Sequence, residues 1–221
     1  MALERVLEPE VMDSIEEALA YDAMDHAEVN RQFVSDLVEA GFVSGDILDL
    51  GTGTALIPVE LCQQMSDIRV MAADLSDSML TVARNNIGLT NYTERVQLDR
   101  VDAKSLPYAT SMFDCVISNS IVHHLPEPLT ALREAVRVTR GGGTLFFRDL
   151  LRPANDSVVA QLVDTYTAGE SDHARQMFAD SLRAALTLDE VQRMVVAVGF
   201  QAESVHATSD RHWTWVGRKA K

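Results

Sequence analysis

No stretch of this 221-residue chain approaches the ~20 consecutive apolar residues that span a bilayer as a helix. Cysteine is nearly absent. Cys62 and Cys115 stand alone in apolar segments, with no CxxC pair and no His/Cys cluster at metal spacing. Two reduced core thiols are expected, not a disulfide or a zinc site. Basic charge is also short, with 19 Lys and Arg against 33 Asp and Glu, for a net charge of -14. That field repels phosphate backbones and slightly favours a cationic ligand. The N-terminus MALERVLEPEVMDSIEE is too acidic for a secretory signal. The expectation is a soluble cytoplasmic protein without a membrane span or nucleic-acid partner, as monomer or homodimer. There is no repeat and no low-complexity linker.

What remains is ordinary globular composition, 47% hydrophobic and 24% charged, at a length suited to one domain. From Asp46 onward, short β-rich runs alternate with helical stretches. The runs are 46–50, 69–74, 95–102, 113–120 and 144–151, and helices are predicted near 55–65, 76–88 and 128–139. Strands apolar on both faces and separated by helices imply a parallel sheet covered on each side, hence a doubly wound α/β layer. A helical stretch over 155–186 follows. The capping box Thr187-Leu-Asp-Glu190 then opens a helix ending at Gly199. Two last strands, near 200–207 and 213–217, are separated only by TSDR, so they must pair as a hairpin. Residues 10–40 read as helical. Residues 1–42 are expected to form a helical lid segment on a core of 43–221.

Ligands of open α/β sheets bind at the carboxyl ends of the strands. DLGTGTA joins the first strand to its helix, and Gly51 and Gly53 allow tight turning and close backbone approach. Nicotinamide-binding folds use a similar turn, but they want a glycine where this chain has Leu56. Asp49, before the glycines, suits a cationic amino-acid ligand and repels a pyrophosphate, although it could instead fix the loop. Asp74 ends the second strand, where a carboxylate accepts ribose hydroxyls from either cofactor. Asp102, followed by the small Ala103, ends the third, and Asn119 and Ser120 lie at the tip of the fourth. Four successive strand ends thus carry polar groups suited to one nucleoside amino acid.

The stretches ILDLGTGTALIPVEL, VMAADLSDSML, VQLDRVDAKSLPY and FDCVISNSIVHHLPEP resemble the class I S-adenosylmethionine-dependent methyltransferases over roughly residues 43–150. The resemblance implies a Rossmann-like sheet of seven strands with the last antiparallel. It implies S-adenosylmethionine as cofactor and S-adenosylhomocysteine as product. Asp49, Gly51, Thr52 and Gly53 would border the methionine moiety, Asp74 the ribose, Leu75 and Met79 the adenine, and Asp102 and Ala103 the adenine edge. Asn119 and Ser120 would hold the methionine amine. The third family glycine is replaced by Ala55.

The tip Asn119-Ser120-Ile121-Val122 lacks the Pro-Pro-aromatic signature of amide- and base-methylating members. His123-His124-Leu125-Pro126 looks instead like the small-molecule branch, so a carbon or oxygen acceptor is expected. His124 is a candidate to face it, against the alternative that both histidines only pack around the loop. On a helix unbroken from residue 22, His26 and Asn30 fall within an apolar stripe of Val29, Phe33, Val34, Leu37 and Val38. Either Asp22, His26 and Asn30 form an internal network, or they face the pocket, where His26 and Tyr21 would line the acceptor site. Asp149, at the fifth strand, could project from the ligand edge, and residues 155–186, with Tyr166, His173 and Met177, are the other candidate lid, where Arg175 and Arg183 either attract an anionic acceptor or stay solvated. No metal is expected, because the strand-end carboxylates are committed to cofactor. The rivals are a nicotinamide-dependent oxidoreductase and a non-catalytic S-adenosylmethionine-binding regulator.

Overall fold

In a computed structural model the described residues are 3–8 and 14–221. Seven strands form one sheet: β1 (Gly45–Leu50), β2 (Ile68–Asp74), β3 (Val96–Arg100), β4 (Phe113–Asn119), β5 (Thr139–Leu150), β6 (Val205–Ala207) and β7 (His212–Arg218). Their order is β3-β2-β1-β4-β5-β7-β6. β1 to β5 are parallel, and β7 runs antiparallel to both β5 and β6. The doubly wound sheet with its antiparallel final strand is therefore present. The chain order reverses between β1 and β4, which puts the switch point at the β1 carboxyl end.

Strand alternation divides the core into two layers. Leu48, Leu50, Val116, Leu145 and Phe147 pack on one face with Leu132, Val191 and Val195. The last three belong to α5 (Pro128–Val138) and α8 (Leu188–Ala197). Ile47, Cys115, Ile117 and Phe146 pack on the other, against Phe33, Val34 and Leu37 of α2 (Ala27–Glu39) and Leu61 of α3 (Leu56–Gln64). Both cysteines are free and buried. No helix among the described residues is long and apolar enough to cross a membrane.

Three local expectations need correction. The N-terminal helix is not continuous from residue 22: α1 (Ile15–Asp22) stops and α2 restarts after His26. The break removes the Asp22-His26-Asn30 network. Asp22 instead accepts from Asn86 of α4 (Asp77–Gly88) at 2.7 Å, and Val29 and Val38 of the supposed stripe are exposed. Residues 9–13 of the predicted N-terminal helical segment lie outside the described residues. The long helical stretch after β5 is two helices, α6 (Asp156–Tyr166) and α7 (Asp172–Ala184), capped by Asn155 and Ser171.

Lastly, β5 starts at Thr139, five residues before the predicted strand. Gly141-Gly142-Gly143 reads as a turn because glycine disfavours strands. The register against β4 shifts there, and a Cβ on Gly143 would sit 2.8 Å from the Asp114 carbonyl oxygen. The glycine admits a bulge that a side chain would block. The Thr187–Glu190 capping box is present as expected.

Trp215 is fully buried at the centre of β7, with Phe147 and Phe200 ring centroids at 5.4 and 5.2 Å. Trp215→Ala is expected to cost roughly 3–5 kcal/mol, measured as a shift of the urea midpoint at unchanged slope.

Candidate functional site

The glycine loop is docked onto the tip of β2. Gly51 and Thr52 donate their N–H groups to the Ala73 carbonyl at 2.8 and 3.0 Å, and Gly53 N–H donates to Asp74 Oδ2 at 2.8 Å. Asp74 Oδ1 accepts from Ser76 N–H at 2.9 Å. Gly51 and Gly53 have φ of 72° and 56°, and Ala55 takes φ 62° before α3 begins. The position of the missing family glycine is thus still left-handed, a conformation that strains an L residue.

A single cavity of about 1060 Å³ opens over this loop. Gly51, Gly53, Asp74, Leu75, Met79, Asp102, Ala103, Asn119 and Ser120 line one half. Tyr21, His26 and His124 line it as well, so the structure brings together twelve of the fourteen sequence-predicted residues in one space. Asp49 and Thr52 do not line it. Asp49 is 2% exposed and accepts from Thr52 Oγ1 at 2.7 Å, beneath the loop. Burial pushes its carboxyl up to about 7; the Thr52 hydrogen bond offsets part of this and the Asp74 charge adds to it. Asp102 lies just past β3, not within it. Burial opposes its charge, but the Lys104 N–H and ammonium outweigh that and hold its carboxyl below the usual range.

His26 caps α2 and packs its ring on Tyr21, centroids 4.6 Å apart. Its Nε2 lies 3.0 Å from the Tyr21 carbonyl oxygen, which can only accept. The hydrogen of this bond therefore resides on Nε2, and Nδ1 is the ring nitrogen not engaged by that carbonyl. Burial, with Asp49, Asp74 and Asp22 nearby, pushes the Tyr21 phenol up to about 12. Tyr21 is a donor at neutral pH and not a base.

The fourth strand ends in a 3₁₀ turn over Val122–His124. His123 Nδ1 donates to the buried Asp149 at 2.5 Å, and Asp149 also accepts from Val122 N–H. Burial alone would lower the His123 pKa; the Asp149 charge and hydrogen bond reverse that and raise it. His124 Nδ1 is 3.2 Å from Glu8 Oε1.

The far half of the cavity contains residues that sequence reasoning passed over: Arg148, His206, Thr208, Arg211, His212 and Thr214. All but Arg148 come from the final hairpin. Their signal was available, because an antiparallel strand begins where its parallel neighbours end, and His212 pairs with Leu150 at the ligand edge. Arg148 clamps α2 to the sheet, reaching Asp36 at 2.5 Å and Thr214 Oγ1 at 3.0 Å. Burial and the neighbouring Arg211 and Arg148 charges hold His212 near 4, so its ring is neutral. Tyr166 and Met177 also line the cavity. His173, Arg175 and Arg183 do not; the two arginines pair with Asp164 and Asp156 instead.

Residues 48–147 match a family model described as a methyltransferase domain. The ubiquinone/menaquinone biosynthesis C-methyltransferase UbiE of Klebsiella pneumoniae is 28% identical over 72% of this chain and 68% of its own length. Methyltransferase GfsG of Streptomyces halstedii is 30% identical over 75% of this chain and 62% of GfsG. The crystal structure of a SAM-dependent methyltransferase from Aquifex aeolicus superposes with a TM-score of 0.70 at 17% identity, covering 93% of this chain and 98% of that one.

Residues 48–147 thus match a methyltransferase domain, and the relatives and solved structures that this chain resembles are methyltransferases, in line with an S-adenosylmethionine-dependent enzyme. The nicotinamide reading and the non-catalytic reading are not favoured. The residues fit the cofactor: a left-handed glycine turn that lines the cavity and packs so closely on Ile121 that Gly51 has no room for a side chain, and the Asp74 and Asp102 carboxylates near two strand ends for hydroxyl and amine donors. A Cβ on Gly51 would lie 1.8 Å from Ile121 Cγ2.

Gly51→Ala is accordingly expected to weaken S-adenosylmethionine binding by more than about tenfold, equivalent to ~1.4 kcal/mol, read by calorimetric titration. Asp49 yields a pH prediction. The folded chain holds this proton up to about pH 7, whereas an unfolded Asp releases it near the ordinary carboxylate range. Between those limits the folded state binds more protons, so stability falls as pH rises. Denaturation midpoints at pH 5 and pH 8 are expected to differ less in Asp49→Asn than in the parent.

Proposed function

We propose that this methyltransferase places the methyl group of S-adenosylmethionine on an oxygen or carbon nucleophile of a small organic molecule. The observation that carries the reading is the continuity of the cavity. At about 1060 Å³ it lies above the usual range for one drug-sized ligand, roughly 300–1,000 Å³. A donor seated at the glycine loop leaves the β5–β7 half for an acceptor. Phe146, Leu150, Met177 and Phe178 give that half apolar walls between the polar groups of Arg148 and the final hairpin, which suits a small organic molecule with both kinds of surface, and the -14 charge disfavours a polyanionic nucleic acid. UbiE's name states carbon methylation in quinone biosynthesis, which fits this class of acceptor.

The cofactor supplies a methyl group on a positively charged sulfur, open to in-line displacement. Asp74 would accept from the ribose hydroxyls, Leu75 and Met79 would flank the adenine, and Asp102 and Ala103 would meet its amine edge. Gly51, Thr52 and Gly53 would shape the turn around the methionine end, with Asp49 beneath the loop, and Asn119 and Ser120 would hold the amine. The protein's own work is alignment and exclusion of water. Tyr21 and His26 close the cavity from the N-terminal side. The Nδ1 of His26 is available to take a proton from an acceptor hydroxyl, and the Tyr21 phenol donates. His124 faces the acceptor from the β4 side.

Methyl-labelled S-adenosylmethionine incubated with a deproteinised metabolite extract is expected to yield a labelled small molecule. Label found only on nucleic acid or protein in a whole extract would overturn the reading. Asp74→Ala is expected to weaken cofactor binding about 100-fold, the worth of one or two hydrogen bonds to a charged group. His26→Ala should lower turnover without changing cofactor affinity; unchanged turnover would remove His26 from the mechanism.

A further inference from the structure

Where the turn after β4 meets the extended residues 3–8, an N-terminal strap, two imidazoles converge on one carboxylate oxygen. Glu8 Oε1 lies 3.5 Å from His123 Nε2 and 3.2 Å from His124 Nδ1. The three potential ligand atoms all lie within 4.8 Å of one another, in a cluster found among the described residues. With bonds of ~2.0–2.1 Å, neighbouring ligands of a tetrahedral zinc ion stand about 3.4 Å apart. The two measured edges bracket that spacing.

The surroundings hold the cluster in register. Asp149, fully buried, accepts from His123 Nδ1 at 2.5 Å, which turns Nε2 toward Glu8. A carboxylate behind a histidine in this way fixes the tautomer that a metal requires and raises the basicity of the ligating nitrogen. Ser181 Oγ donates to Glu8 Oε1 at 3.0 Å. Arg5 donates to the His123 and Leu125 carbonyls at 2.9 and 3.0 Å, tying the strap to the turn.

We propose that Glu8, His123 and His124 bind a divalent transition-metal ion of the zinc class, with Asp149 as the residue that positions His123. Two imidazoles and one carboxylate match a borderline ion; magnesium and calcium prefer all-oxygen shells. Three protein ligands leave a coordination position open, as in catalytic zinc sites. Both histidines line the cavity, so an ion held there would be within reach of a ligand in it and would suit a hydroxyl or enol oxygen. This use of the ion rests on the methyl-transfer reading, and through it His124 would face the acceptor; the binding of the ion does not depend on that reading.

The test is titration of the untagged, chelator-stripped chain with Co²⁺, followed by visible absorption, with Zn²⁺ as competitor. One saturable Co²⁺ per chain is expected, displaced by Zn²⁺ and weakened at least tenfold in both Glu8→Gln and His124→Ala. S-adenosylmethionine titration of the same samples checks that each variant is folded. Absence of saturable Co²⁺ binding in the parent, or undiminished binding in both folded variants, would overturn the proposal. Co²⁺ binding to a chain that methylates no small molecule would leave the metal site standing and remove the acceptor reading instead.

Discussion

The Asp74 carboxylate, accepting from Gly53 on one oxygen and Ser76 on the other, is the contact on which the arrangement of the cofactor cradle depends. It joins the loop after β1 to the tip of β2, so two neighbouring strand ends behave as one rigid surface. Burial raises its pKa, and those backbone donors oppose the shift. Hydrogen bonds from N–H groups to a charged acceptor are each worth about 1.5–3 kcal/mol. Removing Asp74 would leave the donors of a left-handed loop without their acceptor, at the place where the backbone has least freedom to relax.

Around that fixed cradle the chain uses two different closures. The first is the break after α1, which lets the Tyr21–His26 ring pair turn over the glycine loop while Arg148 holds α2 on the sheet edge through Asp36. The second is the strap carrying Arg5 and Glu8, which crosses the turn after β4 and bonds to the carboxyl end of α7. The first brings Asp36 and Arg148 to the cavity wall, whereas the second packs behind His123 and His124, outside the lining itself. The half proposed for the acceptor is lined from the α1–α2 break, the final hairpin and the helices after β5, and the half proposed for the cofactor from consecutive strand tips.

Those two halves were unequally legible. The cofactor half follows from local order, because each strand end is set by a short apolar run and the polar residue that closes it. Asp74, Asp102 and Asn119 could therefore be assigned to one edge before any contact was known. Asp49 was placed at the right strand end, but its burial under Thr52 depends on how tightly the loop folds back. The α1–α2 break was missed because Asp22, His26 and Asn30 share a helical phase, and only the bond from Asn86 shows where Asp22 goes. The start of β5 was missed because three glycines carry turn propensity, overridden here by pairing with β4.

By itself the sequence determined the parallel sheet, its closing hairpin, the capped helix α8 and the donor-binding loop. Periodicity, turn chemistry and glycine placement act within a few residues, and those interactions survive in any packing of the chain. Only the tertiary structure decided that His206 and His212 face the cavity, that Asp149 orients His123, and that Glu8 reaches both histidines of the following turn. Those partners lie on average far apart along the chain, more than a hundred residues in the case of Glu8. Their meeting is fixed by the right-handed crossovers and the antiparallel entry of β7, which no local pattern encodes.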